Sequence, residues 1–247
     1  MKPVVVCSLA HEAFAETAPH VHEDGQLFRI EDGSVNVEAG VRRWLLPGGY
    51  LGWVPPRCPH AAWYPQPVAG RVLYCPDDAD GDNRMPAEVK VVRCDRFLAS
   101  LLDAFLEEGL APVRAELYWQ AFVDAFRHAP DVGFCLPLPQ TAALRTVAAA
   151  LLARPDLDEG IDHWAAATHR SRRSFCRHFR DETGMSFVAW RQSARLWRAL
   201  ELLSSGWSVT ATALEVGYHS VSAFIQLFRR RFGMTPLELA RHPDTRV

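Results

Sequence analysis

Two histidines near the amino terminus have the spacing that a shared metal site requires. His20 and His22 are separated by one residue, and short apolar tracts bounded by Gly, Pro and Asp predict β-strands around them. Because side chains alternate across a strand, both imidazoles are expected on the same side. Imidazole ligands favour Zn, Ni, Cu or Fe over Mg or Ca. The pair is thus a candidate transition-metal site, with a hydrogen-bonding role in the core as the alternative.

Arginines supply a second kind of chemistry near the other end of the chain. In SRRSFCRHFRDETG, Ser171 can cap a helix, and Phe175 and Phe179 lie four residues apart on one face. The other faces of this helix are therefore predicted to be exposed and cationic. An arginine can donate two hydrogen bonds to guanine. The side chains left available are Arg172, Arg173, Cys176, Arg177 and Arg180.

A second helix of the same design is predicted about fifty residues later. Ser220 can cap it, Gly233 can end it, and apolar residues recur at intervals of three and four, namely Val221, Phe224, Ile225, Phe228 and Phe232. Ser222 and Gln226 then face outward, with Val221 beside them, and a glutamine can read adenine.

Each basic helix follows a short apolar helix, predicted at Ile161–Thr168 and at Val209–Val216. This pattern is a helix-turn-helix, present twice. A helix over Phe187–Leu203 would connect the two motifs and set their second helices about 34 Å apart, one turn of DNA. For the remaining arginines, phosphate contacts and solvated or paired charges are both open; these are Arg191, Arg195, Arg198 and Arg229–Arg231.

The segments SRRSFCRHFRDETGMSF, WRQSARLWRALELL and SVTATALEVGYHSVSAFIQLFRRRFGMTP resemble the DNA-binding domain of AraC-family transcription regulators over residues 161–241. The resemblance implies base contacts from Arg173, Cys176 and Arg177, and phosphate contacts from Ser220 and His219. It also implies a duplex DNA partner and a homodimer, and leaves contact with RNA polymerase open. The chain departs from the family at His169, usually a left-handed Gly, and at Thr212, usually Ile.

Strands predicted throughout residues 1–80 suggest a barrel or jelly roll. His20-Val21-His22, then Gln26, Gly33, Gly49, Pro55 and His60, resemble the cupin pattern, which implies that His20, His22, Gln26 and His60 converge inside the barrel. The usual Glu of that pattern is Gln26 here, and Arg57 and Tyr64 replace its usual Gly and Asn. Two alternatives are a metal-free pocket and a soft Cys58 ligand. The pocket would be lined by Trp53, Trp63, Tyr64 and Phe28.

These patterns predict an α+β chain with three parts. Residues 1–87 form a cupin-like β-barrel effector domain, and residues 135–247 form an all-α domain with two helix-turn-helix motifs. Residues 88–134 form a helical packing or dimerisation segment, with apolar stripes that include Phe97, Leu98, Leu102 and Leu117. Three prolines within residues 130–140 predict a short, semi-rigid linker.

Charge is distributed unevenly along the chain. The formal net charge is −2, but residues 1–154 carry 14 basic and 19 acidic residues, whereas residues 155–247 carry 13 and 10. The cationic half contains the helix-turn-helix motifs, as expected of a nucleic-acid binder. Six dispersed cysteines predict reduced thiols, and apolar runs too short for a membrane span predict a cytoplasmic protein. The acidic run at residues 77–83 predicts a solvated turn, since it lacks the terminal Glu of a calcium loop.

The predicted function is a one-component transcription regulator, controlled by a small effector or a divalent transition metal in the barrel. The alternative is a metal-dependent cupin enzyme with an appended DNA-binding domain. The chain has no GxSxG, no phosphate-cradling glycine loop, and a glutamine where the cupin pattern has an acid. These observations favour sensing over catalysis.

Overall fold

The structure is a computed structural model that describes residues 4–76 and 84–240. Contacts between residues divide it into two compact units. The first comprises residues 4–37, 46–76 and 84–133, and the second comprises residues 38–45 and 134–240. The acidic run at residues 77–83 lies outside the described residues.

Strands dominate the chain up to residue 93. In chain order they are β1 (Val5–His11), β2 (Glu16–His20), β3 (Gly25–Asp32), β4 (Ser34–Ala39), β5 (Arg42–Pro47), β6 (Tyr50–Val54), β7 (His60–Trp63), β8 (Val68–Cys75) and β9 (Lys90–Arg93). One sheet of the first unit has the order β1-β8-β3-β6-β9, with every neighbouring pair antiparallel. In the same unit β2 pairs antiparallel with β7, and the register places His20 opposite His60.

The sequence does not predict β9, because residues 88–134 are predicted to be a helical segment. Val91 and Val92 are fully buried in β9, which pairs with β6. Two adjacent β-branched residues favour a strand, but a run of four is too short to distinguish strand from helix by periodicity.

Two helices of the first unit cover one face of this sheet. They are α1 (Arg96–Phe105) and α2 (Pro112–His128). Asp95 caps α1 by accepting a hydrogen bond from the Leu98 N–H at 2.9 Å. Leu98, Leu102, Phe122 and Phe126 form one buried cluster with sheet residues that include Leu27 and Trp53. The predicted packing of an apolar stripe on the sheet is therefore confirmed for these side chains.

Other apolar residues of the two helices face outward. Phe97 is 62% exposed and Leu117 is 59% exposed, so both belong to the apolar surplus that does not pack in the core. The apolar stripes of α1 and α2 are wider than the surface that packs against the sheet, and Phe97 and Leu117 lie at their edges.

The second unit is largely helical. Its helices are α3 (Ala142–Ala153), α4 (Ile161–Ala167), α5 (Arg172–Thr183), α6 (Phe187–Ser204), α7 (Val209–Glu215), α8 (Val221–Phe232) and α9 (Pro236–Ala240). Pairs α4–α5 and α7–α8 are the two helix-turn-helix motifs, and α6 connects them, as predicted. Among the described residues, no helix combines the length and apolar character needed to cross a membrane.

The predicted caps of both basic helices are confirmed. The Ser171 hydroxyl accepts a hydrogen bond from the Ser174 N–H, and the Ser220 hydroxyl accepts one from the Ala223 N–H, each at 3.3 Å. Gly184 and Gly233 follow the two helices with φ near +72°, a conformation that glycine adopts without steric cost. Helices α5 and α8 thus begin and end in the same way.

The proline-rich linker contains a strand, which its sequence did not predict. β10 (Cys135–Pro137) pairs antiparallel with β5, and Leu136 lies opposite Arg43. The Trp190 indole donates a hydrogen bond to the Pro137 carbonyl at 2.5 Å. Three residues are too few to show a periodic pattern, and β10 is a strand because its backbone pairs with β5.

Further contacts hold the linker to the helices of the second unit. The Arg231 guanidinium donates to the Cys135 carbonyl at 3.2 Å. Glu182, at the end of α5, accepts hydrogen bonds from the backbone N–H groups of Gln140 and Thr141 at 2.7 and 2.9 Å. This carboxylate caps α3, whose N-cap residue Thr141 makes no side-chain cap of its own.

Both departures from the family pattern have structural consequences. His169 adopts a left-handed conformation with φ of +52°, as the missing glycine predicts. Thr212 is fully buried in α7, and its hydroxyl has no hydrogen-bond partner in the described part of the chain. A buried hydroxyl without a partner costs free energy of folding.

We expect Thr212→Val to raise the free energy of unfolding by about 1 kcal/mol, because valine keeps the shape and removes the unpaired hydroxyl. The matched control is Thr183→Val. The buried Thr183 hydroxyl donates to the Phe179 carbonyl at 2.7 Å, so its loss should lower stability by about 1 kcal/mol. Urea denaturation followed by circular dichroism measures both, and equal destabilisation by the two substitutions would contradict the assignment.

Candidate DNA interface and effector site

The first basic helix separates its aromatic and cationic faces. Phe175 and Phe179 are completely buried, whereas Arg173 and Arg177 are exposed and Cys176 is half-buried. These three non-aromatic side chains line one cavity of 620 Å³, together with Arg180, Asp181 and the start of α6. The candidate base-contacting residues therefore share one concave surface that carries three arginines and one aspartate.

Arg172 has a local partner. Its guanidinium forms an ion pair with Asp162 of α4 at 3.1 Å, and both side chains are largely exposed. Such a pair contributes little to stability, and its arginine can exchange partners readily. Arg172 is therefore positioned beside the concave surface but is partly neutralised.

The second basic helix presents smaller polar groups. Ser222 and Gln226 are exposed, Val221 is half-buried, and the aromatic residues Phe224 and Phe228 are completely buried. Ser220 is exposed, but its hydroxyl already serves the helix cap as an acceptor. Its hydroxyl proton is still available to a phosphate oxygen. The two helices thus offer different chemistry, guanidinium groups on α5 and an amide with hydroxyls on α8.

Several arginines left open by the sequence have partners inside the protein. Arg191 and Arg195 donate to backbone carbonyls, and Arg198 pairs with Glu201 at 2.9 Å. Arg231 bonds the linker, whereas Arg229 and Arg230 are exposed. Arg191, Arg195, Arg198 and Arg231 therefore make contacts within the protein. For Arg191 and Arg195, the sequence contains no signal that distinguishes this role from a phosphate contact.

Three histidines of the first unit converge at the end of β2 and β7. Their possible ligand atoms all lie within 4.8 Å of one another. Ring centroids are 4.5 Å apart for His20 and His60, 4.7 Å for His20 and His22, and 5.6 Å for His22 and His60. The structure thus brings together the three histidines that the cupin resemblance grouped.

Backbone carbonyls determine which nitrogen of two of these rings carries a proton. His20 Nδ1 is 2.7 Å from the Ala18 carbonyl, and His60 Nδ1 is 2.9 Å from the Cys58 carbonyl. A carbonyl can only accept, so Nδ1 of each neutral ring must be the donor. Nε2 then carries a free lone pair, the arrangement that supporting hydrogen bonds create in histidine metal ligands.

Burial favours the neutral form of two of the imidazoles. It is the main cause that lowers the pKa of His60, and repulsion from His20 and His22 adds to it. The pKa of His22 is lowered by burial first and by His20 second, with Asp24 opposing both. Because a metal ion binds only neutral imidazole, lowered pKa values favour the form that can ligate.

Gln26 is a fourth polar group on this side of the first unit. It is 5% exposed, and its side-chain oxygen has no hydrogen-bond partner within the described ranges. Gln26 lies opposite Tyr74 in the register of β3 and β8, and the Tyr74 ring is 5.4 Å from that of His22. Directly opposed residues point to the same face of a sheet. The unpaired oxygen therefore lies on the face that carries the histidine cluster.

The two alternatives from the sequence receive less support from the geometry. Trp53 belongs to the core between sheet and helices, and strand alternation in the paired register places Phe28 on the opposite face. These two aromatics therefore cannot line one pocket. Cys58 offers its backbone carbonyl to His60, while burial raises the pKa of its thiol and disfavours the thiolate that would bind a metal.

Comparisons with known proteins match both units of the chain. A family model described as an AraC-like ligand binding domain matches residues 2–104, and a model described as a helix-turn-helix domain matches residues 164–242. Together these matches extend over well more than half of the chain. The chain belongs to the AraC family of transcriptional regulators.

Two sequence relatives agree with this assignment. The regulator is 27% identical over 222 residues to the HTH-type transcriptional regulator NimR of Escherichia coli, covering 89% of this chain and 81% of NimR. It is 31% identical over 176 residues to an uncharacterised HTH-type regulator of Haemophilus influenzae, with coverage of 66% and 59%. The solved structure of ToxT from Vibrio cholerae aligns over 98% of this chain and 100% of ToxT, with 11% identity and a TM-score of 0.41.

We expect the neutral rings of His20 and His60 to carry their protons on Nδ1 in the metal-free regulator. Proton–nitrogen correlation NMR of the imidazoles at about pH 8, above the usual histidine pKa, measures the tautomer of each ring. His128, whose side chain is 78% exposed, serves as a reference outside the cluster. An Nε2-protonated ring at either position would contradict the hydrogen bonds described above.

Proposed function

We propose that this AraC-family regulator reads DNA sequence through α5 and α8 and that a divalent transition metal in the first unit controls its binding. In this proposal residues 1–87 form the effector domain and residues 135–247 the DNA-binding domain. Residues 88–134 form a packing and dimerisation segment. The regulator acts in the cytoplasm on double-stranded DNA, and contact with RNA polymerase accompanies activation or repression at a promoter.

The DNA-reading residues are proposed from exposure and chemistry. Arg173 and Arg177 present forked donors suited to guanine, and Cys176 between them contacts a base edge. Each good bidentate pair contributes about 1–3 kcal/mol of discrimination against a wrong base. On α8, Gln226 suits adenine, with Val221 and Ser222 beside it, whereas Ser220 and Arg172 suit phosphates.

The metal proposal rests mainly on one observation, the unpaired and buried oxygen of Gln26 on the same side as three convergent imidazoles. His20, His22 and His60 supply nitrogen ligands and Gln26 supplies a neutral oxygen. All four ligands are uncharged, which favours ions such as Zn²⁺, Ni²⁺ or Cu²⁺ that accept imidazole. A bound ion would act there as a structural or sensory centre that joins β2, β3 and β7.

Sensing fits this ligand set better than catalysis. General acid–base catalysis needs a group that can exchange a proton, and the amide of Gln26 cannot do so at neutral pH. The relatives named above are transcriptional regulators. We therefore propose that the regulator is not an enzyme.

A homodimer is proposed from the outward apolar residues of the helical segment. On α2, Val113 is 74% exposed and Leu117 is 59% exposed, one helical turn apart, and Phe97 of α1 is 62% exposed. Exposed apolar side chains grouped on one pair of helices suit a symmetric interface.

We expect Arg177→Ala to relax base preference at one position of the DNA site, because the variant loses the two hydrogen bonds by which arginine selects guanine. The matched control is Arg230→Ala, which should lower affinity equally on all sequences or leave it unchanged. Selection of random DNA fragments by each purified variant, followed by sequencing, measures both outcomes. Equal loss of affinity on every sequence for Arg177→Ala would refute the assignment.

We expect the metal-stripped regulator to bind about one Zn²⁺ per chain and His60→Ala to abolish this binding, because it removes one nitrogen ligand. Gln26→Glu should tighten binding at least several-fold by adding a negative ligand. His128→Ala, whose side chain is 78% exposed, is the control and should bind normally. Isothermal titration calorimetry measures each affinity.

Two results together would overturn the metal proposal. The first is a metal-stripped regulator that takes up no Zn²⁺, Ni²⁺ or Cu²⁺. The second is a variant with alanine at His20, His22 and His60 that keeps normal DNA binding and normal regulation.

A further inference from the structure

Two arginines of α6 face the chain segment that precedes the first helix-turn-helix. Arg191 and Arg195 are four residues apart, so they lie on the same face of α6. Their side chains are only 16% and 18% exposed. Guanidinium groups this well covered must be satisfied by the protein itself.

The partners of both arginines are mainly backbone carbonyls in the loop between α3 and α4. Arg191 donates to the Glu159 carbonyl at 2.9 Å and to the Leu157 carbonyl. Arg195 donates to the Pro155 carbonyl at 2.8 Å and to the Leu157 carbonyl at 3.3 Å. The two guanidinium groups therefore bind every second carbonyl of the loop from 155 to 159.

One carboxylate adds to this arrangement. Asp158 lies 3.4 Å from Arg191 and 3.7 Å from Arg195, but its side chain is 95% exposed. An exposed carboxylate contributes little, so neutral carbonyls provide most of the stabilisation. Burial, followed by repulsion from Arg195, lowers the pKa of Arg191, as expected for two guanidinium groups packed together.

The second helix-turn-helix also lies close to Arg195 and to the loop between α3 and α4. Gly217 occupies the turn between α7 and α8 with φ of +82°. A Cβ atom at this position would lie 3.3 Å from the Arg195 guanidinium carbon and 3.3 Å from the Asp156 Cα atom. The turn of the second motif therefore packs directly against Arg195 and against the loop that leads into the first motif.

We infer that Arg195, assisted by Arg191, is a positioning residue that sets the spacing between the two DNA half-sites. At Arg195 the entrance to α4, the connecting helix and the turn before α8 are in contact within the second unit. The hydrogen-bonded loop fixes where α4 and α5 begin, and Gly217 fixes where α8 begins. The orientation of one recognition helix relative to the other then depends on this junction, and neither arginine needs to touch DNA.

The inference rests on sequence-specific DNA binding by both motifs. Half-sites on duplex DNA rotate by about 35° and shift by about 3.4 Å for each added base pair. A rigid pair of motifs should thus prefer one spacing sharply, whereas a loosened pair should tolerate neighbouring spacings. Spacing tolerance is a readout that a general loss of stability does not change.

The test uses the full chain and DNA fragments selected by the wild-type regulator, with the distance between half-sites varied by single base pairs. We expect the wild type to lose about tenfold in affinity for each one-base-pair change, comparable to a mismatched base pair. Arg195→Met keeps the apolar stem and removes the donors, and should reduce this penalty to about threefold or less. Arg195→Lys, whose single nitrogen cannot reproduce the separate Nε and Nη2 donors of the guanidinium, should fall between the two.

Leu144→Ala, a fully buried residue of α3 outside the junction, is the control for lost stability. It should lower the melting temperature without changing the spacing profile. Gly217→Ala tests the junction from the other side and should also broaden the profile, which keeps the test decisive if Arg195→Met fails to fold.

Unchanged spacing profiles for Arg195→Lys and Gly217→Ala, with uniformly lower affinity, would overturn the inference. A wild-type regulator that selects no DNA sequence would instead overturn the proposed function. The two failures are therefore distinguishable.

Discussion

Burial of aromatic side chains decides which residues the two basic helices present to solvent. In α5, Phe175 and Phe179 pack with Phe187 and Trp190 of α6, with ring centroids 5.0 to 5.4 Å apart. Burying each phenylalanine contributes about 1.5–3 kcal/mol, whereas an exposed ion pair contributes less than about 1 kcal/mol. The aromatic face therefore sets the rotation of the helix, and the arginines occupy the faces that remain. Phe224 and Phe228 impose the same constraint on α8.

Strand register plays the corresponding part in the first unit. His20 and His60 are close because β2 and β7 pair with these two residues opposite each other. A slip of one residue would turn either imidazole to the other face of the sheet. The histidine cluster thus depends on backbone pairing and on two carbonyls that orient the rings, and Gln26 reaches the same side through the separate pairing of β3 with β8.

Local signals carried much of the architecture. Serine caps, glycine ends and phenylalanine spacing predicted α5 and α8, since each of these determinants acts within a few residues. Strand alternation predicted a shared face for His20 and His22, and their rings are 4.7 Å apart, but β2 ends at His20 and the following loop positions His22. Interactions between distant segments were harder to predict. Strands β9 and β10 are too short for periodicity, and their pairing partners lie dozens of residues away. From the sequence, Arg191 and Arg195 could equally be phosphate contacts, and only the folded loop reveals that both guanidinium groups donate to backbone carbonyls.

The contacts of β10 and the following residues also bear on where the chain can be divided. The Pro137 carbonyl satisfies the indole of Trp190, and the Cys135 carbonyl satisfies Arg231. Glu182 holds the backbone at Gln140 and Thr141. A fragment that began at the first residue of α3 would leave a buried indole N–H and a carboxylate without acceptors or donors. A DNA-binding fragment should instead start before Phe134 to keep these contacts, and it would still lose the pairing of β10 with residues 42–44 of β5.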